Sequence, residues 1–510
     1  MYSAIRQKPT IAPREWAVTT LGGVTLVFSA WGYAGVMAWA LHTMFVGGLL
    51  TLACASLPIL TCGAHSLQRF SSWFNGIDGE HGNGKNLKRL LSSPFFWFGL
   101  CFIFYLLLQL INPSMVRMED ERGWWWIEAI EPPFGTNWPT SIRTNFEPMN
   151  AWRAMELHIA AWSLACGLWV GLRRRRAALT VLWVFVISGV LLAMVAILQH
   201  LGDAEKVLWK VASESKKGFW GSFFYRNHGA AYLNWVLVGT GCLYFYHAKH
   251  SAKAGQSGGP HFICVFSFIL TFCSVGLALS RGGIIFASLI SVVFLLGMFL
   301  QYLLGALSVR RSLGISMVLA TLLALGGMMA YRTIDWAAMQ DRFGDIGAKI
   351  ENIDRDERTL SSLATWEMAQ DKLWLGWGAG SFRYAFPNYQ KAYPELWYKR
   401  YHNEKGWIGR KFFRYAHNDL LQFLAEYGII GCSLLFAALL SLLATGLRGF
   451  MQHPLVVLFL LFGFFCALAH AFADFIFSCP AYWLAFMGGF ALINRIVSLE
   501  AERKRNSKPF

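Results

Sequence analysis

Apolar runs long enough to cross a bilayer recur along most of this chain. A span needs about 20 mostly apolar residues. On that ruler about twelve are found, near 17–36, 40–63, 94–112, 153–172, 178–199, 228–247, 262–280, 284–306, 312–331, 429–447, 455–473 and 479–497. With 55% hydrophobic and 15% charged residues and a mean hydropathy of +0.41, the chain cannot build a charged, water-soluble shell. The expected fold is an all-α polytopic membrane protein of about 12 transmembrane helices. The basic, polar start "MYSAIRQKPTIAPREW" runs directly into a full span, which reads as a signal anchor and not a cleaved signal peptide.

The net charge of +16 does not point to nucleic acid, because Lys and Arg fall mainly in short clusters between apolar runs. With the N-terminus inside, the basic loops 64–93, 173–177 ("RRRR"), 248–261, 307–311 and 448–454 share one side with the tail "AERKRNSKPF". The expected division is helices 1–9 over 1–331, a large outer loop over 332–416 between spans 9 and 10, helices 10–12 over 417–497, and a basic inner tail over 498–510. The outer segment 113–152 holds "RGWWWIEA", which reads as an interfacial aromatic belt, with sugar stacking as the alternative. The ten cysteines are scattered without a CxxC pair or metal-ligand spacing.

Polar residues at the outer ends of the spans carry the candidate chemistry. Arg281 is the one charged residue between His261 and Arg310. A charge at bilayer depth is costly, so it faces a cavity, a partner or the interface. In "SRGG", the backbone N–H groups of Gly282 and Gly283 beside that cation suit an anionic oxygen. Arg226, Asn227 and His228, at the start of the candidate span near 228–247, offer further donors for the same anion. Asp354 and Asp356 spell DxD, but no nucleotide-binding domain accompanies them, so they read as a solvated charge run; no metal or other cofactor is expected. "GWGAGSF" is a Gly-rich turn lacking the GK[ST] of a phosphate loop, and its Trp377 and Gly378 are candidate substrate contacts.

In "RYAHNDLLQFLAEYGIIG" a polar segment gives way to an apolar one. Asp419 is the expected N-cap, with Gln422 three residues on as an approximate capping box. Asp419, Gln422 and Glu426 then recur at i, i+3, i+7 as one polar stripe on an apolar helix. The helix N-terminus favours an anion, and His417 just ahead of it can donate to an anionic oxygen or accept a proton at neutral pH. Gly428 and Gly431 are expected to let a neighbouring helix approach closely.

From these residues the chain resembles the O-antigen ligases and related lipid-linked glycan polymerases. Their pattern is a His followed by Asn, Ser or Gln, then nine residues and GxxG, after a large periplasmic loop. Here that reads His417, Asn418, nine residues, Gly428 and Gly431. "SRGG", "YRNHGAAYL" and "DERTLSSLATWEMAQDKLWLGWGAGSF" with Arg358 resemble further parts of the pattern in the same order. Cys432 and Ser433 depart from it where many ligases have threonines. The resemblance implies a bacterial inner-membrane enzyme with its site facing the periplasm. It would move a glycan from a polyprenyl (undecaprenyl) diphosphate carrier to an acceptor hydroxyl with inversion and without a metal. His417, Arg281 and Arg358 would be its catalytic residues. Arg226, Asn227, His228, Asn418, Asp419, Gln422, Glu426, Trp377 and Gly378 would contact substrate. The acceptor would be a growing glycan, a lipid A-core-like lipid or a protein. The rival of another class is a polytopic transporter or lipid-linked sugar flippase.

Overall fold

The computed structural model describes residues 12–57, 86–146, 148–213, 218–254, 259–303, 356–400 and 408–506. Twelve principal helices are found among them: α1 Pro13–Trp31, α2 Ala38–Ser56, α3 Pro94–Ile111, α4 Ala151–Gly171, α5 Arg175–Leu201, α6 Arg226–Lys253, α7 His261–Leu277, α8 Arg281–Leu303, α9 Glu357–Asp371, α10 Asp419–Leu447, α11 Pro454–Ala473 and α12 Pro480–Asn506. Proline opens α1, α3 and α11 in their first turn, where its missing N–H costs nothing. The expected span 312–331 and Asp354 of the DxD lie outside the described residues.

Among the described residues eight helices are long and apolar enough to cross a membrane: α2, α3, α4, α5, α8, α10, α11 and most of α12. The protein is therefore a multi-pass membrane protein. Helix α6 falls short on apolarity for a structural reason. It is sheathed by other helices, with Tyr232, Asn234, Trp235, Thr240 and Tyr244 all buried, so it can carry polar atoms that lipid would not tolerate. Its glycines admit neighbours closely: a Cβ on Gly241 would lie 2.2 Å from the Phe459 ring of α11.

The fold is not purely helical. Residues of the Trp-rich segment form β1 (Pro113–Glu119), β2 (Trp125–Ala129) and β3 (Ser141–Arg143) in the order β2-β1-β3, with β1 antiparallel to β2 and parallel to β3. Two shorter strand pairs accompany them, Lys206–Val207 with Val211–Ala212 and Tyr398–Arg400 with Ile408–Arg410. On this sheet Trp125 is half-buried, while Trp124 and Trp126 are exposed, the alternation a strand imposes. Ile142 and Met149 then pack with Leu360, Met368, Trp377, Phe382 and Phe386 into a second small core, separate from the bundle. The described residues between α3 and α4 and those from 356 to α10 thus fold together into one cap.

Helix α10 is broken at Gly428, where φ is +62° and ψ −176°. The loop 373–378 fills the break: Trp377 N–H donates to Ala425 O at 2.8 Å, Gly378 N–H to Glu426 O at 2.9 Å, and Ile429 N–H to Leu373 O at 2.8 Å. From α3, Gln109 Nε2 donates to Glu426 O at 3.1 Å and the Tyr105 hydroxyl lies 2.9 Å from Tyr427 O. Backbone groups freed at a break must be paired in this way when water is scarce. The GxxG therefore works differently from the expected helix contact. Gly428 meets loop backbone, Trp374 O standing 2.4 Å from where a Cβ would be, and only Gly431 meets a neighbouring helix, at the Tyr105 ring.

Candidate active site

The break tilts residues 419–427 out of the apolar part of α10 and seats them under the cap. Asn418, not Asp419, is the N-cap: its Oδ1 accepts from Leu421 N–H at 3.2 Å, and Asp419 is the first helical residue. The reason is that Asp419 is committed elsewhere, its Oδ2 accepting from Phe477 N–H at 2.7 Å in the turn between α11 and α12. His417 sits immediately before the cap with φ +57°, a left-handed conformation that costs a residue with a Cβ roughly 1–2 kcal/mol. Its ring stands edge-on to Phe475 at 4.7 Å, and its Nδ1 lies 3.6 Å from Asp474 Oδ1.

Asp474 is the residue on which the cluster converges, and the sequence reading missed it. It caps the C-terminal end of α11, buried, with Asn227 Nδ2 donating to Oδ2 at 2.6 Å and Arg358 Nη2 at 3.9 Å from the same oxygen. Arg358 Nη1 also donates to Ala473 O at 3.0 Å, which fixes half of its fork against the end of the helix. Burial alone would raise the Asp474 carboxyl. The His417 imidazole and the Arg358 guanidinium, with His470 beside them, outweigh that and hold it below the usual carboxylate range. A signal was available: Asp474 is the one charged residue between Arg448 and Arg495, the same isolation that singled out Arg281.

The opening of α6 joins the same place. His228 bonds Phe475 O through Nε2 at 2.9 Å, and Phe475 is sandwiched between the rings of Tyr225 at 5.1 Å and Tyr415 at 4.8 Å. Arg226 is the first residue of α6, half-buried, its N–H donating to Gly218 O at 2.7 Å. Arg281 opens α8, half-buried, and makes no hydrogen bond or ion pair among the described residues. The SRGG turn is less open than its sequence suggests, since Gly283 N–H donates to Ser280 Oγ at 3.2 Å. Gly282 packs on His470, whose Nε2 would be 2.8 Å from a Cβ there. That contact brings Arg281 to the end of α11 that carries Asp474.

The polar stripe adjoins this cluster, Asp419 N–H donating to Asp474 O at 3.3 Å. Asp419, Gln422 and Glu426 are all buried and line a pocket with Arg153, Tyr415, Phe423, Phe477 and Ser478. Gln422 links its neighbours, accepting from Ala416 N–H at 3.1 Å and donating to Glu426 Oε1 at 3.3 Å. Trp377 and Gly378 meet the polar stripe through their backbone, at Ala425 O and Glu426 O, and the Trp377 side chain turns away from it. The Trp377 indole donates to Met368 O at 2.8 Å inside the cap, and Gly378, at φ +103°, lies against Ser141. Asp356 of the DxD caps α9, its side chain accepting from Arg358 N–H at 3.1 Å.

Fold and site together define a multi-pass helical membrane protein with a polar cluster of histidine, carboxylate and arginine where three helix ends meet a folded cap. The family model described as O-antigen ligase (Wzy_C) matches residues 266–436, the family that the motifs resemble. The match spans Arg281, Arg358, His417 and the GxxG, about a third of the chain, while Asn227, His228 and Asp474 lie outside it. No curated protein matches.

Proposed function

We propose that the protein is an inner-membrane glycosyltransferase. It takes a glycan from a polyprenyl diphosphate carrier and passes it to an acceptor hydroxyl on the periplasmic side. The observation that carries this reading is the facing of His417 and Asp474, with Arg358 on the same carboxylate, inside a chain that matches the O-antigen ligase family.

With Nδ1 directed at Asp474, the His417 ring has Nε2 left for the acceptor. Nε2 takes the acceptor's hydroxyl proton as its oxygen attacks the anomeric carbon. The bond from that carbon to phosphate breaks with its electron pair on the leaving oxygen, and attack from the opposite face inverts the centre. Asp474 stays ionised and stabilises the imidazolium as it forms. Diphosphate is a fair leaving group, so the remaining task is to bind it and neutralise its developing charge. Arg281 has a fork with no partner among the described residues, Arg358 is half-committed to Ala473 O and Asp474, and Arg226 is a third donor; guanidinium matches phosphate oxygens without a metal. The acceptor class divides this reading: a lipid A-core-like lipid makes the protein a ligase, a growing polysaccharide a polymerase, and a protein an O-oligosaccharyltransferase of the same kind.

A transporter or flippase is less well supported. Its discontinuous helices leave an ion or substrate site at the bilayer midplane, whereas the break in α10 is filled by loop backbone. Incubating the purified, detergent-solubilised protein with polyprenyl diphosphate-linked glycan and candidate acceptors tests the proposal. Glycan should appear on one acceptor class, in the presence of EDTA, with release of polyprenyl diphosphate. Transfer lost to EDTA and restored by Mg²⁺ would remove the metal-free reading, and absence of transfer to all three acceptor classes would remove the enzyme.

A further inference from the structure

At the far end of the bundle from His417, three helix ends bring together side chains to which the proposed reaction assigns no part. His250 lies 22 residues beyond His228 on α6, about 33 Å along the axis at 1.5 Å per residue. His453 is the residue preceding α11, and Glu500 lies in the last third of α12. One donor atom from each of these three residues lies within 4.8 Å of the others. We propose that His250, His453 and Glu500 form a binding site for a divalent transition-metal ion of the zinc type, which clips together the ends of α6, α11 and α12.

The tautomer of His250 suits a ligand. Its Nδ1 lies 2.9 Å from Tyr246 O, a contact that only an N–H can satisfy, so Nε2 keeps its lone pair and points towards Glu500 Oε1 at 3.8 Å. Metal-binding histidines are fixed in this way by a carbonyl behind the ring. The Tyr246 hydroxyl donates to Glu500 Oε1 at 3.1 Å, orienting the carboxylate from outside, and the Tyr246 ring stacks on both imidazoles, at 4.4 Å from His250 and 5.1 Å from His453. The cluster already holds a cation: Arg175 Nη1 donates to Glu500 Oε1 at 2.6 Å and to His250 Nε2 at 3.1 Å. Arg175 is the first residue of α5 and its side chain is a third exposed, so it can swing into solvent. A metal taking its place gains two imidazole nitrogens and one carboxylate oxygen, a donor set that suits zinc and leaves coordination positions for water.

The test is Co²⁺ titrated into the purified full-length protein and followed by its visible d–d absorption, with Zn²⁺ as competitor. One equivalent is expected to bind and to be displaced by Zn²⁺. His250→Ala and His453→Ala should each weaken binding by at least about tenfold, a loss of about 1.4 kcal/mol. Arg175→Ala, which removes the competing cation, should tighten it by roughly three- to tenfold, and this readout does not depend on the histidine variants folding. No saturable signal in either the parent or Arg175→Ala, or a signal that His453→Ala leaves unchanged, would overturn the site.

Discussion

Asn227 donates its side-chain amide to Asp474 Oδ2 at 2.6 Å, tying the first turn of α6 to the end of α11. With one carboxylate oxygen held by Asn227 and the other facing His417, Asp474 has little freedom to turn away. Asp474→Asn keeps the shape and removes the charge that would stabilise the His417 imidazolium. Transfer is expected to fall by on the order of 10²–10⁴, with binding of the lipid-linked donor changed much less. Initial rates and donor affinity, both measured on purified variant, separate the two; an unchanged rate would remove Asp474 from the mechanism.

The same residue sets a pH dependence. The carboxyl of folded Asp474 titrates below the usual range, so its contribution to stability is present above the unfolded value, about 3.9, and is lost as pH falls through the folded one. The stability gap between parent and Asp474→Asn should therefore shrink as pH falls below about 4. Thermal unfolding of both proteins across that range gives the answer. A gap that instead grows as pH falls below about 4 would mean that burial dominates at this carboxyl.

Gly428 and Gly376 face each other so closely that a Cβ on Gly428 would stand 2.6 Å from Gly376 N and one on Gly376 would stand 2.6 Å from Gly428 N. Both have positive φ, +62° and +70°. Gly428→Ala is expected to cost more than about 2 kcal/mol, from strain and from loss of the loop that fills the break. Gly276→Ala is the control, since nothing lies within 4 Å of its Cβ position and φ is ordinary; it should be neutral or slightly stabilising. Melting temperatures of the two detergent-solubilised variants should move in this order.

Much of the helical frame was legible because apolar length is a property of sequence alone. Runs near 94–112 and 455–473 became α3 and α11 almost residue for residue. The polar residues that begin α6, α8 and α10 were equally visible as interruptions of those runs. What escaped the sequence was pairing between distant segments. Asp419 reads as a cap until Phe477 is seen to donate to it, which hands the cap to Asn418. Trp377 reads as a candidate substrate contact, while in the structure its indole is bonded to Met368 O. Gly428 reads as a helix contact because no local signal says that Leu373 and Trp377 will pair with α10. Asp474 is legible by the isolation argument that singles out Arg281, as the one charged residue between Arg448 and Arg495.

Arg281 and Arg358 differ in how far they are already engaged, and that difference is measurable. Lysine keeps the charge and loses the fork, a non-conservative exchange at a phosphate. Arg281→Lys should weaken donor binding and slow transfer while leaving stability untouched, because Arg281 holds no partner among the described residues. Arg358→Lys should do both and also lower the melting temperature, because it gives up the bond to Ala473 O. Equal and purely thermal effects in the two variants would speak against diphosphate binding.

The sharpest test falls on His417. A left-handed backbone at a residue with a Cβ is an expense that a mere helix cap does not require, since Asn418 already supplies the capping oxygen. If His417 removes the acceptor proton, His417→Ala should slow transfer by on the order of 10²–10⁴ and leave donor affinity nearly intact. If it instead contacts the diphosphate, affinity and rate should fall together. The double variant with Asp474→Asn separates a shared role from two independent ones: residues that act as a unit lose little more together than singly. His417→Ala protein that inserts, folds and transfers glycan at the parental rate would leave the whole cluster a structural joint between α6, α10 and α11.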